Sequence, residues 1–224
     1  MQSKMKQTIL CGVGLLAFAG AVQAETKLTA NVGVTSNYVF RGVTQTDDNP
    51  AVQGGVDYVH KLGFYAGAWA SNVELPTGDK GFETDLYVGY NFKLNEDVLF
   101  DVGYITYQYS SIAIADADEI YFGASFKDLS LTYYSGDTDG PGDTDYSYID
   151  LKYSIALQKE FNLHLHYGNL DGPRNEDAED ASIGVSKMIS GFDMGLTVTT
   201  LDRDTGSDDT EGFITVTKTF DFLI

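Results

Sequence analysis

Lys27-Leu28-Thr29-Ala30-Asn31-Val32-Gly33-Val34-Thr35-Ser36-Asn37-Tyr38-Val39-Phe40-Arg41 alternates between apolar and polar side chains almost residue by residue. Leu28, Ala30, Val32, Val34, Tyr38 and Phe40 hold even positions, while Lys27, Thr29, Asn31, Thr35, Asn37 and Arg41 hold odd ones. Successive strand side chains point to opposite faces, so a period of two predicts a strand with one oily face and one wet face.

The same alternation continues down the chain. Thr84, Leu86, Val88, Tyr90 and Phe92 oppose Glu83, Asp85, Gly89, Asn91 and Lys93, and Ile149, Leu151, Tyr153 and Ile155 oppose Asp150, Lys152 and Ser154. The pattern predicts strands over 27–41, 51–60, 64–73, 83–93, 98–109, 119–127, 129–135, 146–157, 161–169, 181–187, 192–201 and 212–223. Segment 64–73 is less clean, because Tyr65 and Trp69 oppose Phe64, Ala66, Ala68 and Ala70. Short turns fall at Lys61-Leu62-Gly63, Asn95-Glu96-Asp97, Lys127-Asp128, Gln158-Lys159-Glu160 and Met188 to Gly191. Long polar loops fall near 42–50, 74–82, 110–118, 136–145, 170–180 and 202–211. Short turns at one rim, long loops at the other and an even strand number are the layout of an antiparallel transmembrane up-and-down barrel, here all-β with about 12 strands.

Alternation alone does not say which face points outward. Strand length and the aromatics favour an oily exterior. Phe64, Phe92, Phe100, Phe126, Phe161, Phe192 and Phe222 lie near the short turns, and Tyr38, Tyr107, Tyr109, Tyr133, Tyr134, Tyr148 and Tyr167 near the long loops. Two such bands suit the two interfaces of a bilayer. One residue resists this reading. Lys218 shares the oily parity of Ile214, Val216, Phe220 and Phe222, and a lysine at the bilayer midplane costs about 2–4 kcal/mol. It must reach the interface, or a bulge must shift the register.

Residues 1–24 read as a cleavable signal peptide. Lys4 and Lys6 are followed by a short apolar run from Ile9 to Phe18 and a small-residue site at Val22-Gln23-Ala24. The barrel then occupies 25–224. Cleavage would remove Cys11, the one cysteine of the chain, so no disulfide or thiolate chemistry remains. The formal net charge of −19 excludes a nucleic-acid surface, which needs Lys and Arg for phosphates.

Ser36-Asn37-Tyr38-Val39-Phe40-Arg41-Gly42, with Pro50-Ala51-Val52-Gln53-Gly54-Gly55-Val56-Asp57-Tyr58, Gly63-Phe64-Tyr65-Ala66-Gly67-Ala68-Trp69-Ala70-Ser71-Asn72-Val73 and Glu83-Thr84-Asp85-Leu86-Tyr87-Val88-Gly89-Tyr90, resembles the start of the TorF-like porin family. The resemblance covers roughly residues 28–92. It implies a bacterial outer-membrane pore and names no solute. Barrels of this kind often end on an aromatic residue. Here Phe220 and Phe222 keep the alternation, but Ile224 ends the chain.

If the oily parity meets lipid, the wet parity lines a lumen. The pore-lining candidates are Asn31, Arg41, Asp57, Asp85, Lys93, Asp101, Glu119, Asp150, Lys152, His164, His166 and Asp193. A mixed-charge lining can set selectivity, or it can pair internally and close the barrel. His164 and His166, two apart on one strand face, could ligate a metal or relay a proton, but as a pair they supply too few ligands for a metal site. Acidic clusters mark the loops: Asp137, Asp139, Asp143 and Asp145; Asp171, Glu176, Asp177, Glu179 and Asp180; Asp202, Asp204, Asp208, Asp209 and Glu211. Such density can hold divalent cations, or it can simply keep loops solvated.

Ser154, His164 and Asp150 could meet on neighbouring strands, but no nucleophile elbow or metal-protease motif accompanies them. The expectation is a non-enzymatic outer-membrane channel without cofactor, its oligomeric state unread from the sequence and a monomer by default. It would pass small hydrophilic solutes or ions, cations preferentially. A closed structural or ligand-binding barrel and an outer-membrane enzyme are the alternatives.

Overall fold

The structure, a computed structural model, describes residues 26–110, 116–139, 144–172 and 176–223. The leader expected over 1–24 lies outside these residues, as do Asp143 and Ile224. Fourteen strands follow in chain order: β1 (Lys27–Thr35), β2 (Val39–Phe40), β3 (Val43–Thr44), β4 (Ala51–Val59), β5 (Phe64–Glu74), β6 (Lys80–Lys93), β7 (Val98–Ser110), β8 (Ala117–Phe126), β9 (Leu129–Thr138), β10 (Asp145–Ala156), β11 (Phe161–Asp171), β12 (Ala178–Ile189), β13 (Phe192–Arg203) and β14 (Asp209–Leu223). Twelve of them pair antiparallel with their neighbours, and β1 closes on β14 through Val34↔Val216, so the barrel wall has no free edge. The small β2–β3 pair stands apart from the barrel wall.

The register places every alternating segment the same way round. Even positions face out in β1 and β4 to β8, odd positions in β9 to β12, and even positions again in β13 and β14. The outer face is apolar: Val52 and Ile120 are 62% and 63% exposed. The inner face is polar and buried, with Glu83 and Asp85 at 0%. A soluble barrel would invert this arrangement, so the exterior has the character of a lipid-facing surface.

Each Phe expected at the short-turn end lies on the outward parity, and Phe92, Phe100 and Phe122 stack there in sequence. The tyrosine band differs from expectation. Tyr133 and Tyr167 face out, but Tyr38, Tyr107 and Tyr148 are buried inside and Tyr134 packs against them. Their parity explains this, since Tyr107 lies on the inward parity of β7, and Tyr134 and Tyr148 on that of β9 and β10.

Lys218 keeps its outward position opposite Val32, with no break in register. Its Nζ donates to the Gly191 carbonyl at 2.7 Å and lies 5.5 Å from the Phe192 ring centroid, at the short-turn rim. The side chain therefore snorkels and no bulge is needed.

Two expectations are corrected. Strands continue well into the expected long loops: β9 runs to Thr138, β12 starts at Ala178 and β14 at Asp209. Antiparallel pairing uses backbone groups, so it persists through polar sequence. The first strand, expected over 27–41, ends at Thr35. There Thr35 Oγ1 donates to the Asn37 carbonyl at 2.6 Å. Asn37 then anchors a local network that competes with the ladder: its Oδ1 accepts from Thr44 Oγ1 at 2.6 Å and Thr46 Oγ1 at 3.1 Å. Residues 36–50 turn inward instead of lengthening the wall.

Candidate functional site: the narrowed lumen

The inward segment is a hairpin. Phe40↔Val43 pairing leaves Arg41 and Gly42 as a two-residue turn with φ of 46° and 75°. Positive φ at both central residues is what a type I′ hairpin turn requires, and Ser190 and Gly191 take similar values, 52° and 80°, between β12 and β13. Arg41 Nη1 donates to Glu119 Oε1 at 2.7 Å, and Nη2 to Oε2 at 3.1 Å. The guanidinium also lies 4.1 Å from the Tyr148 ring centroid and 5.0 Å from that of Tyr134. Burial opposes its charge, but Glu119, with Tyr107, more than offsets this and holds the Arg41 pKa well above its ordinary value. On its other side the tip is tight. A Cβ added at Gly42 would stand 2.9 Å from Asp180 Cβ and 3.0 Å from Leu201 Cβ. At the neck, Tyr38 meets Trp69 edge-on at 5.4 Å. The hairpin thus bars the lumen from β5 across to β8–β10 and β12–β13.

The two halves of the inner wall differ in a way set by register. From β4 to β10, inward aromatics face glycines on the adjoining strand: Gly55↔Trp69, Gly67↔Tyr87, Gly89↔Tyr65, Gly103↔Tyr121 and Gly136↔Tyr146. The rings lie so close that a Cβ at Gly103 would stand 2.3 Å from Tyr121 Oη. Their hydroxyls serve the buried carboxylates. Tyr65 donates to Asp101 at 2.7 Å, Tyr107 to Glu119 at 2.7 Å, Tyr109 to Glu83 at 2.8 Å, and Tyr87 to Asp57. Asp85 is fully buried, and its carboxylate has no hydrogen-bond donor among the described residues.

From β12 through β14 to β1 the glycines face threonines: Gly184↔Thr197, Gly195↔Thr215 and Gly33↔Thr217. Ser182 and Thr199 join the same wall. These side chains are short, and a gap of about 100 Å³ remains between them and the hairpin, lined also by Val39, Arg41, Gly42, His166, Asp180 and Phe213.

The expected lining residues separate into groups. Arg41, Asp57, Asp85, Asp101, Glu119, Asp150, Lys152, His164 and His166 all point into the barrel, Arg41 from the hairpin and not from the wall. Asn31 lies on the small-residue half, beside Gly55. Lys93 and Asp193 are exposed at the short-turn rim. His166 bridges two carboxylates, 3.3 Å from Asp150 and 3.1 Å from Asp180, and Lys152 pairs with Asp150. His164 lies between Ser154 and Ser186, each at 3.1 Å. Asp150 is thus engaged by Lys152 and His166, and the Ser154–His164–Asp150 grouping does not form. The acidic loop residues do not converge on an ion: among the described residues, no three His, Cys, Asp or Glu side chains are placed to hold a metal. Trp69, Tyr148, Thr197 and Thr199 were not among the expected lining residues, and Asp180 was expected only in an acidic loop cluster. The inward parity of Trp69, Tyr148, Thr197 and Thr199 was visible, that of Asp180 was hidden in an expected loop, and their shared level in the lumen depends on register.

These features define a twelve-stranded barrel of the porin fold, with an apolar exterior and a polar lumen narrowed by an inward hairpin. The chain belongs to the bacterial family of unknown function Gcw_chp, whose model matches residues 19–223. No curated protein matches it in sequence. Among solved structures it is similar to the KdgM porin, with TM-score 0.63 and 12% identity over 86% of this chain and 99% of that one. A KdgM porin in complex with disordered oligogalacturonate matches with TM-score 0.59 and 12% identity, over 87% and 99% of the two chains. The NanC porin matches with TM-score 0.56 and 13% identity, over 88% and 99%. At such identities the likeness is one of fold.

Proposed function

We propose that the protein is an outer-membrane channel that passes small hydrophilic solutes through the gap between the hairpin and the threonine-lined wall, with a preference for cations. In this reading residues 1–24 direct export and are removed. The observation that carries the proposal is the gap itself: the tyrosine half of the lumen is filled, while the half built on Gly184, Gly195 and Gly33 leaves room beside Ser182, Thr197 and Thr199. The resemblance of residues 28–92 to TorF-like porins supports the same function.

Cation preference is supported by the charge of the lumen. Asp57, Glu83, Asp101, Glu119, Asp150 and Asp180 outnumber Arg41, Lys152 and His166. Low-dielectric walls focus such a field and favour counter-ions. Oligogalacturonate, the ligand in the KdgM complex, is polyanionic, and this lumen disfavours that charge. The solutes proposed are therefore neutral or cationic. Reversal potentials in a KCl gradient test the preference: a potential set by K⁺ permeation is expected, and one set by Cl⁻ would overturn it. A second reading, a closed structural barrel, draws on the same buried latch between Arg41 and Glu119. Swelling of liposomes in isosmotic small polyols separates the two, since a closed barrel admits none.

A further inference from the structure

Lys218 raises a question that the channel does not answer. An ammonium on the lipid-facing parity is held at the short-turn rim by one hydrogen bond to the Gly191 carbonyl, which leaves its other two N–H donors free to bond elsewhere. It is not alone. Lys187, also on the outward parity, holds its Nζ 4.9 Å from the Phe161 ring centroid, and Lys127 holds its own 5.3 Å from that of Phe126. None of the three has a carboxylate within ion-pair distance among the described residues. Of the acids at this rim, Asp221 is on the lumen parity and paired with Lys27 at 2.5 Å, and Asp193, opposite Thr217, is on the lumen parity of β13.

We infer that Lys187 and Lys218, with Phe161 and Phe192, form a binding site for the phosphate headgroup of an anionic phospholipid at the short-turn rim. The inference rests on the membrane reading above. Lys187 and Lys218 project from β12 and β14 with β13 between them, and Lys187 is level with Met194 and Val216, two residues from Lys218, which roots the two side chains roughly 12 Å apart. Two long, flexible side chains rooted at that spacing can both reach one phosphodiester placed over β13. The surface around them is what acyl chains need: Ile189, Phe192 and Met194 are exposed and apolar on the same face. A water-soluble phosphate gains nothing from those side chains, whereas a lipid satisfies the charge and the apolar surface together. The cation–π contacts hold each ammonium at the level of the rim, Lys218 over Phe192 on β13 and Lys187 over Phe161 on β11, from which Lys187 swings toward β13 to share the headgroup.

The test uses the full chain purified from membranes in detergent. It is mixed with equal amounts of phosphatidylglycerol and phosphatidylcholine and examined by native mass spectrometry. The expected result is preferential retention of phosphatidylglycerol, falling about fivefold for each lysine removed in K187Q, K218Q and the double variant. The charge-keeping K187R/K218R variant should retain the preference. Heat-modifiable migration on gels confirms that each variant is folded. Equal retention of both lipids by the native protein, or an unchanged preference in the folded K187Q/K218Q variant, would overturn the inference and leave the channel reading standing. A chain recovered in the soluble fraction would overturn the membrane reading itself.

Discussion

Replacing Arg41 by alanine should release the hairpin without unfolding the barrel. The guanidinium and the Glu119 carboxylate are 6% and 0% exposed. Removing one partner of a buried ion pair costs about 3–5 kcal/mol, because the other charge is left uncompensated. The faces of Phe40, Tyr134 and Tyr148, 4.1–5.0 Å from the guanidinium, add about 0.5–2 kcal/mol each. None of this belongs to the strand ladders, so the loss falls on hairpin docking. A loss of about 3 kcal/mol shifts that equilibrium by more than about a hundredfold. Trp69 provides a local readout, because it is the single tryptophan of the chain, is buried, and packs against Tyr38 at the hairpin neck. R41A should shift its emission to the red and raise unitary conductance in planar bilayers, while gel migration stays that of a folded barrel. R41A/E119A removes the stranded carboxylate and should recover part of the docking. Native emission and native conductance in folded R41A would refute the role given to this latch.

Other outcomes follow from the asymmetry of the lumen. Thr197→Tyr, on the open half, should lower conductance by at least about twofold as bulk enters the gap, with little change in thermal stability. Gly103→Leu, on the filled half, should instead cost about 1–3 kcal/mol of stability through overpacking against Tyr121, seen as a lower temperature of heat-modified migration. His166→Ala removes the bridge between Asp150 and Asp180 and should move the reversal potential in a KCl gradient further toward the K⁺ limit; a move toward Cl⁻ would count against the assigned field.

The barrel was legible in the sequence because one physical rule, the alternation of side chains across a strand, repeats in nearly every wall segment. Leu28 to Val34 and Ile149 to Ile155 announce one oily and one wet face without any knowledge of partners. The hairpin was not legible by that rule. Tyr38 and Phe40 continue the parity of Val32 and Val34, so alternation alone extends the strand. What ends it is the local bonding of Thr35 and Asn37 and the turn at Arg41-Gly42, a signal weaker than Asn-Gly. The TorF-like resemblance did single out Ser36 to Gly42, but by likeness and not by mechanism. The Tyr band failed for a related reason, because closeness to a long loop outweighed the parity of Tyr107, Tyr134 and Tyr148. The open and filled halves were hidden more deeply. Gly103 faces Tyr121 and Gly195 faces Thr215 only once the register is known, and register joins residues that a pass along the chain never compares.

The unitary conductance of the purified protein in a planar bilayer tests the central claim most directly. The account predicts reproducible small steps that carry K⁺ in preference to Cl⁻ and grow larger in R41A. Silence from native protein shown to be folded and inserted would contradict it, and would mean that the hairpin and its tyrosine wall seal the lumen.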